Sequence, residues 1–198
     1  GCAALWSLAL NDENKITIAE AGGITTILSA MNKSSNTDVQ RYGCGALRNL
    51  AVNDSNQVTI AEEGGITTIL SAMKTHSFIA DVQEYGCGAL SNLAFDNDKN
   101  RIAIAAAEGI TTVLSAMKNH FINVDVQHYG CAVLWNLAMN DDKNRIAIAE
   151  AGGITMILSA MKNHFTNVDV QHYGCAVLWN LAVNDDKNRI AIAEAGGI

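Results

Sequence analysis

GCAVLWNLA occupies Gly130–Ala138 and returns letter for letter as Gly174–Ala182. Looser versions begin at Gly1 (GCAALWSLA), Gly43 (GCGALRNLA) and Gly86 (GCGALSNLA), so successive starts lie 42, 43, 44 and 44 residues apart. A period of this size marks a helical solenoid with two or three helices per unit. Stability in such a chain comes from stacking of neighbours, not from one central core. The phrase therefore predicts an all-α array whose surfaces repeat in register.

Read outward, the phrase belongs to a helix that opens near Asp125, a good N-cap residue, with Asp38, Asp81 and Asp169 at the same place. Glu84 in the second unit adds the reciprocal acid of a capping box. With Val126 counted as zero, Val126, Gly130, Leu134 and Leu137 fall at 0, 4, 8 and 11, a buried stripe. Glycine at position 4 of every copy costs about 1 kcal/mol relative to alanine in a helix interior, so close approach of a neighbouring helix is expected there. The opposite face carries Tyr129 at 3, Ala132 at 6, Asn136 at 10 and Asn140 at 14. His128 at 2 and Trp135 at 9 run beside it.

Upstream of this helix each unit holds two more. A polar turn such as Asp96–Asn100 leads into a short segment (Arg101–Gly109), read as a helix of one to two turns. Then comes Gly109–Lys118, where Ile110, Val113, Leu114 and Met117 recur at helical spacing. The helix triplets are expected at 11–53, 54–96, 97–140 and 141–184, with partial units at 1–10 and 185–198. Residues 117–154 and 161–198 differ only at Ile122/Thr166 and Met139/Val183, which marks an internal duplication. The opening inside a helix phrase and the closing AEAGGI predict further repeats at both ends.

Of the 198 residues 49% are apolar, ample for a buried core, yet no apolar run reaches the ~18–20 residues of a membrane span. No membrane insertion is expected. A net charge of −7 disfavours nucleic acid, whose phosphates call for a basic stripe, and favours basic partners. Cys2, Cys44, Cys87, Cys131 and Cys175 recur once per phrase. Equivalent helices stack roughly 8–10 Å apart, beyond the ~7 Å Cα separation of an unstrained disulfide. The thiols are expected to be buried, in a reducing, cytoplasmic compartment with nuclear access open.

The order of asparagine-rich turn, short helix, AGGI, second helix, DVQ and GCAxLxNLA is similar to the armadillo repeat over the whole chain. Its most specific parts are Leu134-x-Asn136-Leu137-Ala138 and Gly152-Gly153-Ile154. The GC opening and Ala116, Met117 and His120 look closest to armadillo arrays of leucine-rich-repeat kinases and other long arrays. The resemblance implies a right-handed superhelix of three-helix repeats whose third helices line a peptide groove. Thr25, Thr68 and Thr111 stand where the family often has a first-turn proline, which a helix start does not require. Nuclear-import receptors of this class place a Trp four residues before the ladder Asn. Here that position is Ala3, Gly45, Gly88, Ala132 and Ala176, so the import-receptor reading is disfavoured.

The candidate partner-binding residues form four ladders. Asn49, Asn92, Asn136 and Asn180, with Ser7 at the first rung, are the family's peptide contacts, or else tie each helix end to its following loop. Trp6, Arg48, Trp135 and Trp179 are residue types common at binding hot spots, or else pack between third helices. Tyr42, Tyr85, Tyr129 and Tyr173 fall on the groove side, as stacking surface or as packing. His128 and His172 lie beside them and near cysteines, but at spacings that do not make a zinc set. No catalytic constellation and no cofactor motif is present, so no enzyme and no cofactor are expected. The chain is read as a scaffold for a protein or extended peptide. The alternatives are a spacer or self-association module in a larger protein and, more remotely, a metal-dependent or catalytic role.

Overall fold

A computed structural model describes residues 1–139, 141–183 and 185–197. The groove position Asn140 lies outside them. The described residues form helices and connecting turns, without strands. Third helices are α1 (Cys2–Leu8), α4 (Thr37–Leu50), α7 (Ala80–Ala94), α10 (Val124–Ala138) and α13 (Val168–Ala182). First helices are α2 (Asp12–Glu20), α5 (Asp54–Glu62), α8 (Asp98–Ala106), α11 (Asp142–Glu150) and α14 (Asp186–Glu194). Second helices are α3 (Gly23–Lys33), α6 (Gly65–Thr75), α9 (Gly109–Asn119) and α12 (Gly153–Asn163).

The first helix is longer than the expected one to two turns because it begins inside the polar turn. Asn97 Oδ1 accepts from the Asn100 amide at 3.1 Å, and Asp141 accepts from Asn144 at 3.0 Å. The capped asparagine then turns inward, Asn100 Nδ2 donating to the Leu93 carbonyl at 2.8 Å. That bond closes the corner between one unit's third helix and the next unit's first. Ile104 points into the core and Ile102 is exposed, so Ile-x-Ile divides between two sides of a helix.

The third helix also starts earlier than expected. Its N-cap is Asn123, whose side chain accepts from the Val126 amide, and Asp125 sits in the first turn, where a carboxylate favours the helix dipole. Asn36 and Asn167 cap α4 and α13 in the same way. The capping box assigned to Glu84 does not form: Ile79 precedes α7 without a side-chain cap. Inside each unit a glutamine joins second to third helix, Gln127 Nε2 donating to the carbonyls of Met117 and His120 at 2.9 and 3.0 Å.

The expected stripe is buried: Val126, Leu134 and Leu137 are sealed from solvent. Each such leucine contributes about 1.5–3 kcal/mol through burial. At Gly130 an added Cβ would stand 2.6 Å from Met117 Cγ, so the glycine lets this unit's second helix approach. Third helices pack side by side along the array, more closely than second helices do. The row with the tighter spacing is the shorter one, so third helices line the inner, concave side.

Candidate functional site

The inner row carries positions 2, 3, 6, 9 and 10 of each third helix. Position 6 decides how near its neighbours come. A Cβ on Gly45 would lie 2.9 Å from Trp6 Cδ1, and one on Gly88 would lie 2.8 Å from Arg48 Cδ. The small residue in each helix thus receives the large position-9 side chain of the helix before it. Where position 9 is Ser91, the facing residue is Ala132, which needs no such room. Trp6 packs against Gly45, and Trp6 and Trp135 are each partly buried against the core.

These side chains meet the tyrosines. Trp6 lies 5.6 Å from Tyr42 and 5.9 Å from Tyr85, centroid to centroid, so it spans two units. Trp135 lies 5.6 Å from Tyr173. Between them Arg48 stacks 4.3 Å above the Tyr129 ring, hydrogen-bonds its hydroxyl and comes within 3.7 Å of Glu84. Arg41 stacks 4.4 Å above Tyr42 and bridges Asp38 and Asp81, each at 3.1 Å. His128 stacks on Tyr129 at 4.3 Å and on Tyr173 at 5.3 Å, its nearest ring neighbours. His172 meets Tyr173 edge-on at 5.2 Å and is exposed.

The environment shifts several groups. Burial raises the Glu84 carboxyl, with Asp125 adding to the shift and Arg48 opposing it. Burial lowers His128, favouring the neutral ring, against the pull of Asp169 and Asp125. Desolvation holds the thiols protonated: Cys44 and Cys131 are pushed up to about 12, and Cys87 is raised further. Cys175, on the last third helix, is exposed, contrary to the burial expected of every cysteine. Among the described residues no three His, Cys, Asp or Glu side chains converge as metal ligands would.

The asparagine ladder makes a contact that neither sequence reading contains. Asn49 Nδ2 donates to the Trp6 carbonyl at 3.1 Å, Asn92 to Arg48 at 2.9 Å and Asn136 to Ser91 at 3.1 Å. These three amides lock onto the preceding third helix, not onto their own loops. Asn136 and Asn180 are buried and Asn49 and Asn92 half-buried, so the face expected to be open at position 10 is covered in the last two units, as is Ala132 at position 6. The Asn136 Oδ1 and Asn180 Nδ2 atoms are buried without a partner among the described residues. Ser7 and Trp179 are exposed at the two ends of the row. Sequence reasoning missed Glu84, Arg41, Gly45 and Gly88. The signal was present at helix position 2, which changes from Arg41 to Glu84 to His128, and in the glycines at position 6 that follow Trp6 and Arg48.

Residues 11–52 match the family model of the Armadillo/beta-catenin-like repeat. No curated protein matched the chain. An engineered protein of known crystal structure is similar over 99% of this chain and 77% of its own, at 26% identity and a TM-score of 0.85. A designed armadillo repeat protein in complex with the peptide (KR)4 aligns over 98% of this chain and 80% of its own, at 16% identity and a TM-score of 0.83. A structure from work on the interaction between cadherin and beta-catenin aligns over 96% of this chain and 35% of its own, at 18% identity and a TM-score of 0.85. With residues 11–52 matched by the repeat model, and the same three-helix unit stacked in phase along the described residues, the chain carries an armadillo repeat and has the fold of an armadillo-repeat array.

Proposed function

We propose that this array is a protein-binding scaffold that takes an extended peptide along the row of third helices. The observation that carries the reading is the succession of boxes down that row. Trp6 with Tyr42 and Tyr85 comes first, then Arg48 with Glu84 and Tyr129, then Trp135 with Tyr173 and His128. Three extended residues advance roughly 10 Å, close to the spacing of packed helices. Side chains of a strand-like ligand would therefore fall on successive boxes.

Basic side chains fit best. Arg41 and Arg48 of the chain itself already sit over tyrosines beside carboxylates, in the manner a ligand arginine would. In the last two units those helix positions hold His128, His172, Trp135 and Trp179, so beyond the Arg48–Tyr129 pair the aromatic faces of Trp135 and Tyr173 and the acids Asp125 and Asp169 stand there without an arginine of their own. A cation over such a ring gains about 0.5–2 kcal/mol. The complex of a designed relative with (KR)4 supports the same ligand class. The proposed role is binding, not catalysis, since the central thiols are held protonated by burial. It extends to a reducing, cytoplasmic compartment, in which five unpaired thiols persist.

Fluorescence anisotropy with a labelled alternating Lys–Arg peptide, and with its Glu–Gln counterpart, tests the reading. Trp135→Ala with Tyr173→Ala should weaken the basic peptide about 10-fold or more, the loss typical of a hot-spot pair. Equal affinity for both peptides, or no loss in the variant, would remove the groove from the account.

A further inference from the structure

Away from the groove, the turns joining second to third helices carry a second, unassigned surface. Phe78 and Ile79 in the second unit, Phe121 and Ile122 in the third, and Phe165 and Val168 in the fourth are all exposed, Phe78 at 80% and Ile122 at 77%. Single exposed apolar residues are ordinary, but a contiguous strip marks an interaction site. Continuity here is built in. His120 donates from Nε2 to the Ser77 carbonyl at 2.9 Å, and His164 does the same to Phe121 at 2.9 Å. Each turn is thereby fastened to the one before, which sets the exposed tips of successive units in register along a ridge.

The charges beside the ridge are also ordered. Lys74 ends α6 and pairs with Glu108 at 2.6 Å across the unit boundary. Lys118 and Lys162 stand at the same place on α9 and α12. The residues in register with Glu108 are Gly152 and Gly196, so the acid that would pair with these lysines is missing. Both lysines are exposed and have no ion-pair partner among the described residues.

We propose that this ridge docks an amphipathic helix of a partner protein, its apolar stripe on the Phe and Ile tips and its acidic flank on Lys118 and Lys162. Neighbouring turns repeat at the helix-packing distance of roughly 8–10 Å, and a helix rising 1.5 Å per residue covers that in about five to seven residues, a heptad at the upper end. The ligand is thus a helix with large aliphatic residues at heptad spacing and Asp or Glu along one side. An anionic membrane is the poorer fit: a broad anionic surface would meet Asp81, Asp125 and Asp169, which open the third helices directly after the ridge, as well as the two lysines before it, whereas a helix can turn its acidic flank to the lysines alone.

The test uses synthetic helical peptides of about three heptads, with leucine at the apolar positions and either Glu or Lys on the flank. Anisotropy should show the Glu peptide binding the intact array. Phe121→Ser with Ile122→Ser should weaken it about 10-fold or more, as removal of a buried apolar anchor does. Lys118→Glu with Lys162→Glu should reverse the preference towards the Lys peptide. All four residues are exposed, and an unchanged melting temperature confirms that the variants fold. Failure of the Glu peptide to bind, indifference to the charge reversal, or sedimentation with phosphatidylserine vesicles in place of peptide binding would overturn the proposal. Trp135→Ala with Tyr173→Ala should leave ridge binding intact, which separates this surface from the groove.

Discussion

A single amide shows why a residue's role here depends on the unit before it. The donor on Asn136 is used by the Ser91 carbonyl, with Ser91 Oγ 3.4 Å away, and the side chain is buried between α7 and α10. Its removal leaves the Ser91 carbonyl with only the Phe95 amide, 3.1 Å away, and loses one hydrogen bond between α7 and α10, which costs about 0.5–1.5 kcal/mol. Asn136→Ala should therefore lower the urea midpoint, whatever it does to ligand binding. Asn136→Asp should lower it more, because a carboxylate has no N–H to give and would face the carbonyl oxygen. Equal stability of Asp and Ala variants would show that the bond contributes nothing and that packing alone matters. The same logic changes what a ladder mutation can report about function. Alanine at Asn92, Asn136 and Asn180 together would loosen the spacing of the third helices as well as remove amides from the row. Trp135 and Tyr173 are the cleaner probes, since they are only partly buried and meet across the unit boundary through a ring contact, with no side-chain hydrogen bond between units among the described residues.

At the scale of the helix, the second helices show how one departure from the repeat is tolerated. Gly22, Gly64 and Gly152 precede their helices with φ of 74, 79 and 80°, a left-handed conformation that glycine adopts freely. In the third unit Glu108 takes that place with φ of 65°. A side chain there costs roughly 1–2 kcal/mol. The exposed pair with Lys74 returns at most about 1 kcal/mol and is screened by salt. Glu108→Gly should raise the urea midpoint by an amount worth about 1 kcal/mol, with the gain growing in high salt; a fall would mean that the ion pair dominates. This site was visible in the sequence as AAAEG against AEAGG. Helix count, order and the buried stripe were equally legible, because a hydrophobic period repeated in each unit leaves little freedom. Helix starts were less so. Asn123 and Asp125 are both good caps, and only the backbone shows that the chain turns at the first. The boxes of the groove were hidden for a different reason. Trp6 reaches Tyr85 and Arg48 reaches Tyr129, contacts spanning two units that no helical wheel of one unit contains.

The whole molecule contains its own control for what a neighbouring unit does. Residues 117–154 and 161–198 are identical at all but two positions, yet they occupy different surroundings. Cys131 is fully buried and Cys175 exposed; Trp135 is partly buried and Trp179 is 70% exposed. With sequence held constant, the difference is the contribution of the α11–α13 unit that covers the earlier copy. The uncovered copy instead borders an open cleft of about 900 Å³, lined by Leu158, Met161, Leu178 and Ile192 among others. In a stacked array, stability is a sum of unit terms and interface terms, so one added interface changes it locally and by a definite increment. Appending a second copy of residues 155–198 continues the register after the last glycine pair and should fill this cleft. Cys175 should then lose its reactivity toward a thiol reagent in the native state, as burial already enforces for Cys131. Trp179 emission should shift to shorter wavelength, toward that of Trp135, and the urea midpoint should rise. If Cys175 reacts as fast as before while the added unit is helical, the units do not stack by the rule that orders the rest of the chain.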